Sequence, residues 1–374
     1  MEKIVFVGHS IYLEEGKIFD PNYAITYEFL NHYFNSGYRV IRHTLYRGGE
    51  TRIYARGVKN NYKKIKLIGY LPDSLRYLAE IVFNGIYLLY YQPTAVIAID
   101  PLSCFVPALF KKIGLIKKVF FITPDFTKQR FGNRLLNFFY CILDKFCTLN
   151  SDKNLCCSKT VISYKEKIYK RSSGVYVHLP NIPNPWVINR LDGISKIKNR
   201  IIYAGNISSQ IDFEIIFYQI NKLKEKYKNI TLYIAGTGSR ESYLRQYVKK
   251  NKISNIYFLG QLSHEDALKE IAQSEIGVAW YNGAFRYDEF RDSCKIREYQ
   301  ALATIPLVSK VVKANCAEIQ RYTSGIVIND ADELYNRIDQ ILSNETYKKE
   351  LQIHCRDNYL LYSNKFQEFY DLMK

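Results

Sequence analysis

Alternation is the feature that most constrains this chain. Apolar runs of strand length are followed by helical patterns, and the series runs twice, on either side of Leu179-Pro180-Asn181-Ile182-Pro183-Asn184-Pro185. Strand–helix–strand units of this kind build parallel sheets covered by helices. Three prolines in seven residues interrupt such a series, because proline fixes φ and has no amide to give a ladder. In the first half, strands are predicted over 3–7, 38–44, 95–99, 118–122, 155–157 and 175–178. Helices are predicted over 24–35, 75–90, 105–112, 135–149 and 159–169. In the second half, strands fit 201–204, 231–235, 256–259, 276–280, 305–308 and 326–328, and helices fit 212–226, 240–251, 265–274, 296–303 and 331–342. Ser263-His264-Glu265-Asp266 has the spacing of a capping box before one of them. At 374 residues the chain exceeds the size at which one core stops growing. The expected fold is α/β: two doubly wound, Rossmann-like domains facing a cleft. They cover 1–190 and 191–345, with a terminal helix over 346–374 returning to the first domain.

Charge is divided unevenly between these halves. The whole chain carries 53 basic and 36 acidic residues, a net +17. Residues 1–190 hold 27 basic and 13 acidic residues, a net +14; the remainder hold 26 and 23, a net +3. With 47% hydrophobic and 24% charged residues, the composition excludes a disordered tail, a collagen-like repeat and a disulfide-stapled miniprotein. The opening Met-Glu-Lys-Ile-Val-Phe-Val-Gly lacks the basic start and cleavage site of a signal peptide. The eight Cys are therefore expected as free thiols in a reducing cytoplasm. Cys and His never cluster at metal-ligand spacing, so no metal is expected. The most apolar stretch, 77–91, is broken by Glu80, Asn84 and Gly85 and falls short of the ~20 residues a spanning helix needs. It reads as a buried helix on a sheet. A polytopic membrane protein is excluded, and peripheral attachment stays open.

Ligands of open α/β sheets bind outside the carboxyl ends of the strands. The loops expected there are Gly8-His9-Ser10, Gly205-Asn206-Ile207-Ser208, Gly236-Thr237-Gly238-Ser239 and Gly260-Gln261. Glycine at such junctions lets backbone approach a ligand, although it also ends strands for purely steric reasons. Gly236-Thr237-Gly238 lacks the third glycine of a dinucleotide fingerprint, since position 241 is Glu, which argues against nicotinamide and flavin. Between 292 and 308 a polar loop opens a short helix that leads directly into a strand. Helix amides and the adjacent Lys295 suit a diphosphate, and Glu298, one turn in, can accept hydrogen bonds from a ribose diol. The plainer reading is a solvated Lys–Glu pair. Asp100 and Asp125 follow two strands of the first half. They can orient sugar hydroxyls or assist proton transfer, or serve as ordinary caps and turns.

Several segments, taken in order, resemble the retaining glycosyltransferases of GT-B fold, family 4 (glycosyl transferases group 1). They are Leu179-Pro180-Asn181, Tyr203-Ala204-Gly205-Asn206, Ile234-Ala235-Gly236-Thr237-Gly238, Tyr257-Phe258-Leu259-Gly260-Gln261, and Lys295-Ile296-Arg297-Glu298-Tyr299 with Ala301 and Pro306. Ser151-Asp152 followed by Ser158-Lys159 fits the same pattern. The resemblance implies transfer of a sugar from a nucleotide-diphosphate sugar to an acceptor hydroxyl, with retention and without metal or cofactor. The setting it implies is bacterial surface polysaccharide or glycolipid synthesis.

It also implies site roles. Glu298 binds the donor ribose; Ser293, Cys294 and Lys295 line the diphosphate; Gly260, Gln261 and Leu262 frame the nucleobase. Gly205, Asn206, Gly236 and Gly238 form donor-side turns, and Gly8 approaches the phosphates or the sugar. Asp100, Asp125 and Lys295 are the implied catalytic set. Two features depart from the family. Its first acidic donor residue falls at Phe290, with Glu289 one residue off, and its basic clamp falls at Asn206 and at Gln210 or Ile211. The diphosphate charge is then left to Lys295, helix amides and Arg286, Arg291 or Arg297.

The basic half is the acceptor side in this family. Lys63, Lys64, Lys66, Lys111, Lys112, Lys117, Lys118, Lys165, Lys167, Lys170 and Arg171 are interleaved with aromatic residues. That composition suits a lipid-linked glycan or the anionic inner face of a membrane, or simply a solubilising surface. Nucleic acid is disfavoured because no recognised module appears. A catalytically silent GT-B subunit that binds a sugar nucleotide or scaffolds a partner is the alternative from another class. A sugar-nucleotide 2-epimerase shares the fold, but its residue signature is not evident.

Overall fold

The computed structural model describes residues 3–10, 12–14, 17–19, 39–46, 51–56, 61–65, 73–170, 173–183, 185–363, 365, 368 and 371. The helix expected over 24–35 lies outside them. The chain divides into Met1–Pro180 and Asn181–Lys374, so the division falls inside the Pro-Asn turn, earlier than the expected boundary at 190.

The first unit runs β1 (Lys3–Ser10), β2 (Tyr12–Glu14), β3 (Lys17–Phe19), β4 (Arg39–Tyr46), β5 (Thr51–Arg56), β6 (Asn61–Ile65), α1 (Asp73–Tyr91), β7 (Ala95–Ile99) and α2 (Pro101–Lys112). It continues through β8 (Lys118–Thr123), α3 (Arg134–Asn150), β9 (Lys153–Cys156), α4 (Lys159–Tyr169) and β10 (Tyr176–His178). The main sheet has the order β10-β9-β8-β7-β1-β4-β5-β6. Pairings from β10 to β4 are parallel, whereas β5 and β6 add an antiparallel edge. That edge escapes a search for apolar runs, because Thr51–Arg56 and Asn61–Ile65 mix basic, Tyr and aliphatic residues. Edge strands need no continuous apolar run.

β1 is longer than expected. Its ladder with β4 continues through Gly8↔Thr44 to Ser10↔Tyr46, so Gly8 lies within the strand and not in a loop after it. α2 begins earlier than expected, at Pro101, because Asp100 caps it and proline suits the first helical turn. The stretch 77–91 is most of α1 and is only half buried. Leu88 packs into a core with Val5, Val96, Ala98, Val119 and Phe121, while Leu78, Val82 and Ile86 on the other side are exposed.

The second unit runs α5 (Pro185–Asn189), β11 (Arg200–Ala204), α6 (Phe213–Leu223), β12 (Thr231–Ala235), α7 (Glu241–Lys250), β13 (Ile256–Gly260), α8 (His264–Ala272) and β14 (Ile276–Ala279). There follow α9 (Cys294–Ala301), β15 (Ile305–Ser309), α10 (Lys313–Tyr322), β16 (Ile326–Ile328), α11 (Ala331–Ser343) and α12 (Glu345–Ser363). Its six strands are all parallel, in the order β13-β12-β11-β14-β15-β16. Every residue of β11, β14 and β15 is buried. Each fully buried Val, Ile or Phe contributes about 1.5–3 kcal/mol, and Ile201, Ile202, Phe213, Phe217 and Val278 are all of this kind.

α10 is a helix that the sequence pattern does not signal, because Lys313–Tyr322 is polar apart from a few inward positions such as Cys316 and Ile319. α12 buries Leu351, Cys355, Tyr359 and Tyr362 and packs on α9, α11 and β15. Over its described length the terminal helix packs on elements of the second unit.

Candidate active site

Strand order in the second sheet reverses at the β11/β14 neighbours, the kind of switch point where α/β sheets bind ligands. Three loops ending adjacent strands are joined there by backbone hydrogen bonds. Gly205 N donates to Ala235 O at 2.8 Å, Ile207 N to Thr237 O at 2.9 Å, and Gly236 N to Gly260 O at 2.8 Å. The approach is close enough to require glycine. A Cβ on Gly236, whose φ is +137°, would strike the Gly205 carbonyl; one on Gly205 would lie 2.9 Å from Lys295 Nζ. Gly238 faces Ile207 and Asn206 across the same seam. Gly205, Asn206, Gly236, Gly238 and Gly260 are thus brought into one shelf. Gln261 joins it through its Oε1, which accepts from Thr237 Oγ1 at 3.1 Å, and half-buried Leu262 follows.

α9 points its amino end at this reversal. Its N-cap Ser293 makes no side-chain cap bond; the hydroxyl lies 3.0 Å from the Tyr281 hydroxyl instead. The first-turn amides of α9 are left uncapped by Ser293, and the exposed Cys294 opens the helix. Because α9 starts at Cys294 and not at 296 as expected, Lys295 sits in its first turn.

Lys295 is held by hydroxyl and ring faces. Its Nζ donates to Tyr203 Oη at 2.9 Å and lies 4.0 Å from the Tyr203 ring centroid and 5.3 Å from that of Tyr281. Tyr203 Oη in turn donates a hydrogen bond to Asn206 O at 2.7 Å. Burial lowers the Lys295 pKa below the usual lysine value, and the Arg291 charge pushes the same way. Tyr281 shows the reverse balance: burial pushes its phenol up, but Lys295 and Arg291 together bring it below its usual value. Arg291 lies over the Tyr281 and Tyr287 rings at 5.5 and 5.0 Å and pairs with buried Asp288 at 3.3 Å. Two cations therefore flank one tyrosine at the mouth of α9.

A second, fully structural layer lies beneath. Asp292 accepts from Asn181 N at 2.7 Å, Asn315 Nδ2 at 2.7 Å and Arg297 Nε at 2.9 Å, while Asn181 Nδ2 donates to Asp292 O at 2.7 Å. Arg297 reaches Glu318 on its other side. Burial works against the Arg297 charge, but Asp292 and Glu318 hold its pKa above the usual value. Asn315 Oδ1 in turn accepts from Ser293 N at 2.9 Å. The Pro-Asn turn is thereby tied to the loop that starts α9, and Arg297 is committed to the protein interior.

Glu298, one turn into α9, meets His264 at the start of α8, with Nε2 2.8 Å from Oε1. Burial opposes charge on this imidazole, but the Glu298 hydrogen bond and charge win and raise its pKa. The sequence pattern places His264 in a capping box. That cap is real, since Ser263 Oγ accepts from Asp266 N at 3.1 Å, and it delivers the imidazole to Glu298. Among the described residues no three His, Cys, Asp or Glu gather as a metal site.

Residues 198–344 match the family described as "Glycosyl transferases group 1". The second unit is a group 1 glycosyltransferase domain. Solved structures extend the likeness to the whole fold. Sucrose-phosphate synthase from Thermosynechococcus elongatus superposes with a TM-score of 0.68 at 12% identity, over 100% of this chain and 99% of that one. WaaG, a glycosyltransferase involved in lipopolysaccharide biosynthesis, gives 0.66 at 14%, over 95% of each chain. The E. coli trehalose-6-phosphate protein bound with UDP-2-fluoro glucose gives 0.68 at 14%, over 99% and 98%. The fold is GT-B. No curated protein matches the sequence.

Within the glycosyltransferase domain the positions that depart from the family have other partners. Glu289 pairs with Lys313, and Gln210 Nε2 donates to Tyr287 Oη at 2.8 Å. Arg286 is exposed. Of the three arginines considered for the diphosphate, Arg291 stands beside Lys295 and Arg297 is withdrawn.

The first unit has its own reversal, with β1 between β7 and β4. Gly8 and Asp100 stand there. Asp100 adopts φ +69°, ψ 160° and caps α2, accepting from Ser103 N at 2.9 Å and from Ser103 Oγ at 3.2 Å. Asp125 pairs with Arg130, whose guanidinium lies 5.5 Å from the Tyr140 ring centroid. Burial opposes the Arg130 charge, yet Asp125 chiefly, and Asp100 more weakly, keep it above its usual pKa. Both carboxylates thus have roles that turn and cap chemistry accounts for.

Proposed function

We propose that the protein is a glycosyltransferase that moves a sugar from a nucleotide-diphosphate sugar to an acceptor hydroxyl, with retention at the anomeric carbon and without a metal. One observation carries the reading. Lys295, the uncapped first turn of α9 and Glu298 converge at the switch point of the group 1 domain. As the sugar–phosphate bond breaks, negative charge grows on the leaving diphosphate. Fixed amides, Lys295 and neighbouring Arg291 meet that charge with little reorganisation, which is electrostatic preorganisation. Glu298, oriented by His264, accepts from the ribose diol. Gly260, Gln261 and Leu262 frame the base, and Ser293 and Cys294 line the phosphates. A neighbour bound with UDP-2-fluoro glucose supports a sugar-nucleotide donor, and one from lipopolysaccharide biosynthesis supports a surface glycan or glycolipid acceptor.

Asp100 and Asp125 take the acceptor side in this scheme, Asp125 by lending a carboxylate edge to a sugar hydroxyl while paired with Arg130. A reducing, cytoplasmic setting at the inner membrane face fits eight unbridged cysteines, none within a disulfide. A catalytically silent sugar-nucleotide-binding subunit is the second reading, favoured by Phe290 and Asn206 where the family has charged residues.

A thermal-shift panel of UDP-, GDP- and ADP-sugars tests the donor site. One nucleotide class is expected to raise Tm in the native protein and not in Glu298→Ala. No shift from any donor would overturn the reading, and a shift with neither transfer nor donor hydrolysis would select the silent subunit.

A further inference from the structure

Among its described residues the first unit presents an exposed apolar face. On α1, Leu78, Val82 and Ile86 recur at helical spacing and are 61%, 59% and 53% exposed, while Leu88 and Ile81 pack on the core. On α3, Leu135, Phe138, Phe139 and Ile142 form a second stripe, 46% to 61% exposed. α2 packs against both helices, so the stripes belong to one helical layer. Ile113 and Leu115, in the turn closing α2, are exposed as well. Single exposed apolar residues need no explanation, but a patch of large side chains over two helices marks an interaction surface.

The rim of this face is basic. Lys112 and Lys117 flank Ile113 and Leu115, and Lys128, Arg134 and Lys145 flank the α3 stripe; all five are exposed. The nearby carboxylates are turned to other tasks. Glu80 and Asp144 are buried, Asp144 pairs with Lys165 at 2.8 Å in the interior, Asp125 pairs with Arg130, and Asp100 caps α2. Lys165 is therefore withdrawn from the basic surface inferred from sequence, and Lys111 is tied to Asp152 at 2.8 Å. What remains is an apolar centre with a cationic edge. A neutral protein partner would not call for that edge, whereas an anionic interface complements both parts.

We propose that α1 and α3 dock this protein on an anionic lipid bilayer. The Leu, Ile and Phe side chains enter the headgroup boundary and the rim lysines meet lipid phosphates. No helix among the described residues is long and apolar enough to cross a membrane, so the layer lies on the interface. The proposal rests on the exposed face and its charge; it deepens the inner-membrane setting of the proposed function by naming the surface and the lipid class.

Vesicle flotation of the full chain tests it, using phosphatidylglycerol mixed with phosphatidylcholine, and phosphatidylcholine alone. The native protein is expected to float with the anionic vesicles at low salt and to be lost from phosphatidylcholine. Phe138→Ser with Phe139→Ser is expected to lower the bound fraction about tenfold or more. Lys112→Glu with Lys117→Glu is expected to lower it less, and only at low salt. All four positions are exposed, so unchanged thermal unfolding is expected and separates lost docking from lost fold. A native protein that stays unbound, or a Phe pair variant that floats like the parent, overturns the proposal. So does a dimer in sedimentation that the same Phe substitutions dissolve without any vesicle binding. Flotation requires neither donor nor acceptor, so its failure is distinct from failure of the transferase reading.

Discussion

Both sheets reverse strand order once and carry polar side chains at the reversal, yet the two places are built for different ends. In the second unit, Lys295 meets a hydroxyl and two ring faces and Glu298 meets an imidazole. In the first, Asp100 satisfies Ser103 and Asp125 satisfies Arg130. A charged group at a strand end is a strong ligand candidate when its protein partners are weaker than the ligand it would bind. Where a full countercharge or a helix cap is already present, the group carries a structural role as well, and a ligand must compete with that partner. The layer beneath differs too: Asp292 anchors the start of α9 by accepting from Asn181 and Asn315 in distant segments and from Arg297 within α9.

The sharpest way to break this contrast is to remove that anchor. Asp292→Ala leaves Arg297 buried with only one of its two carboxylate partners, and is expected to cost about 3–5 kcal/mol in urea unfolding. Asp125→Ala, at a part-exposed pair, is expected to cost about 1 kcal/mol or less. Equal losses would mean that the two units are not organised as described. The glycines offer the next contrast. Gly236→Ala meets the Gly205 carbonyl at a positive φ and is expected to cost about 2 kcal/mol or more. Gly8→Ala places its Cβ an ordinary 3.6 Å from Ile99 and is expected to be near neutral by the same unfolding assay.

Asp100 sharpens the account further. Asp100→Ala is expected to cost about 1 kcal/mol through the lost cap. Asp100→Gly should recover part of that loss, because φ +69° suits glycine. A glycine variant less stable than the alanine variant would contradict the backbone argument. The smallest expected effect is a pH dependence. His264 has a raised pKa in the folded state, so its pairing with Glu298 contributes fully below the ordinary histidine value of about 6.5. The contribution is lost as pH rises through the raised value. With 38% of the His264 side chain exposed, screening keeps it modest. Unfolding free energy measured across that window should slope downward more steeply in the parent than in His264→Gln; parallel curves would show that the pair is not linked to stability.

Much of the second unit was legible in the sequence because β11, β14 and β15 are buried on both faces and so appear as continuous apolar runs. Lys295 and Glu298 were legible because helix start, lysine and glutamate are local to one segment. Their partners were not. Tyr203 lies 92 residues from Lys295, and His264 lies 34 from Glu298; only the crossovers bring them together. Arg297 misled for the same reason, since its burial depends on Glu318 from α10. In the first unit, the polar edge strands β5 and β6 carried no apolar signal. The apolar stretch in α1 signalled burial, although half of it faces outward. Hydropathy reports that a side chain is apolar, and only packing decides which neighbours cover it.

The central claim is that the second unit holds the donor diphosphate through Lys295. Its most direct test is the turnover of Lys295→Met, using whichever sugar nucleotide stabilises the native protein. With unfolding stability retained, turnover is predicted to fall about 10²- to 10³-fold, while Asp125→Asn stays within about tenfold of the parent. A Lys295→Met protein that transfers sugar at the native rate would contradict the account.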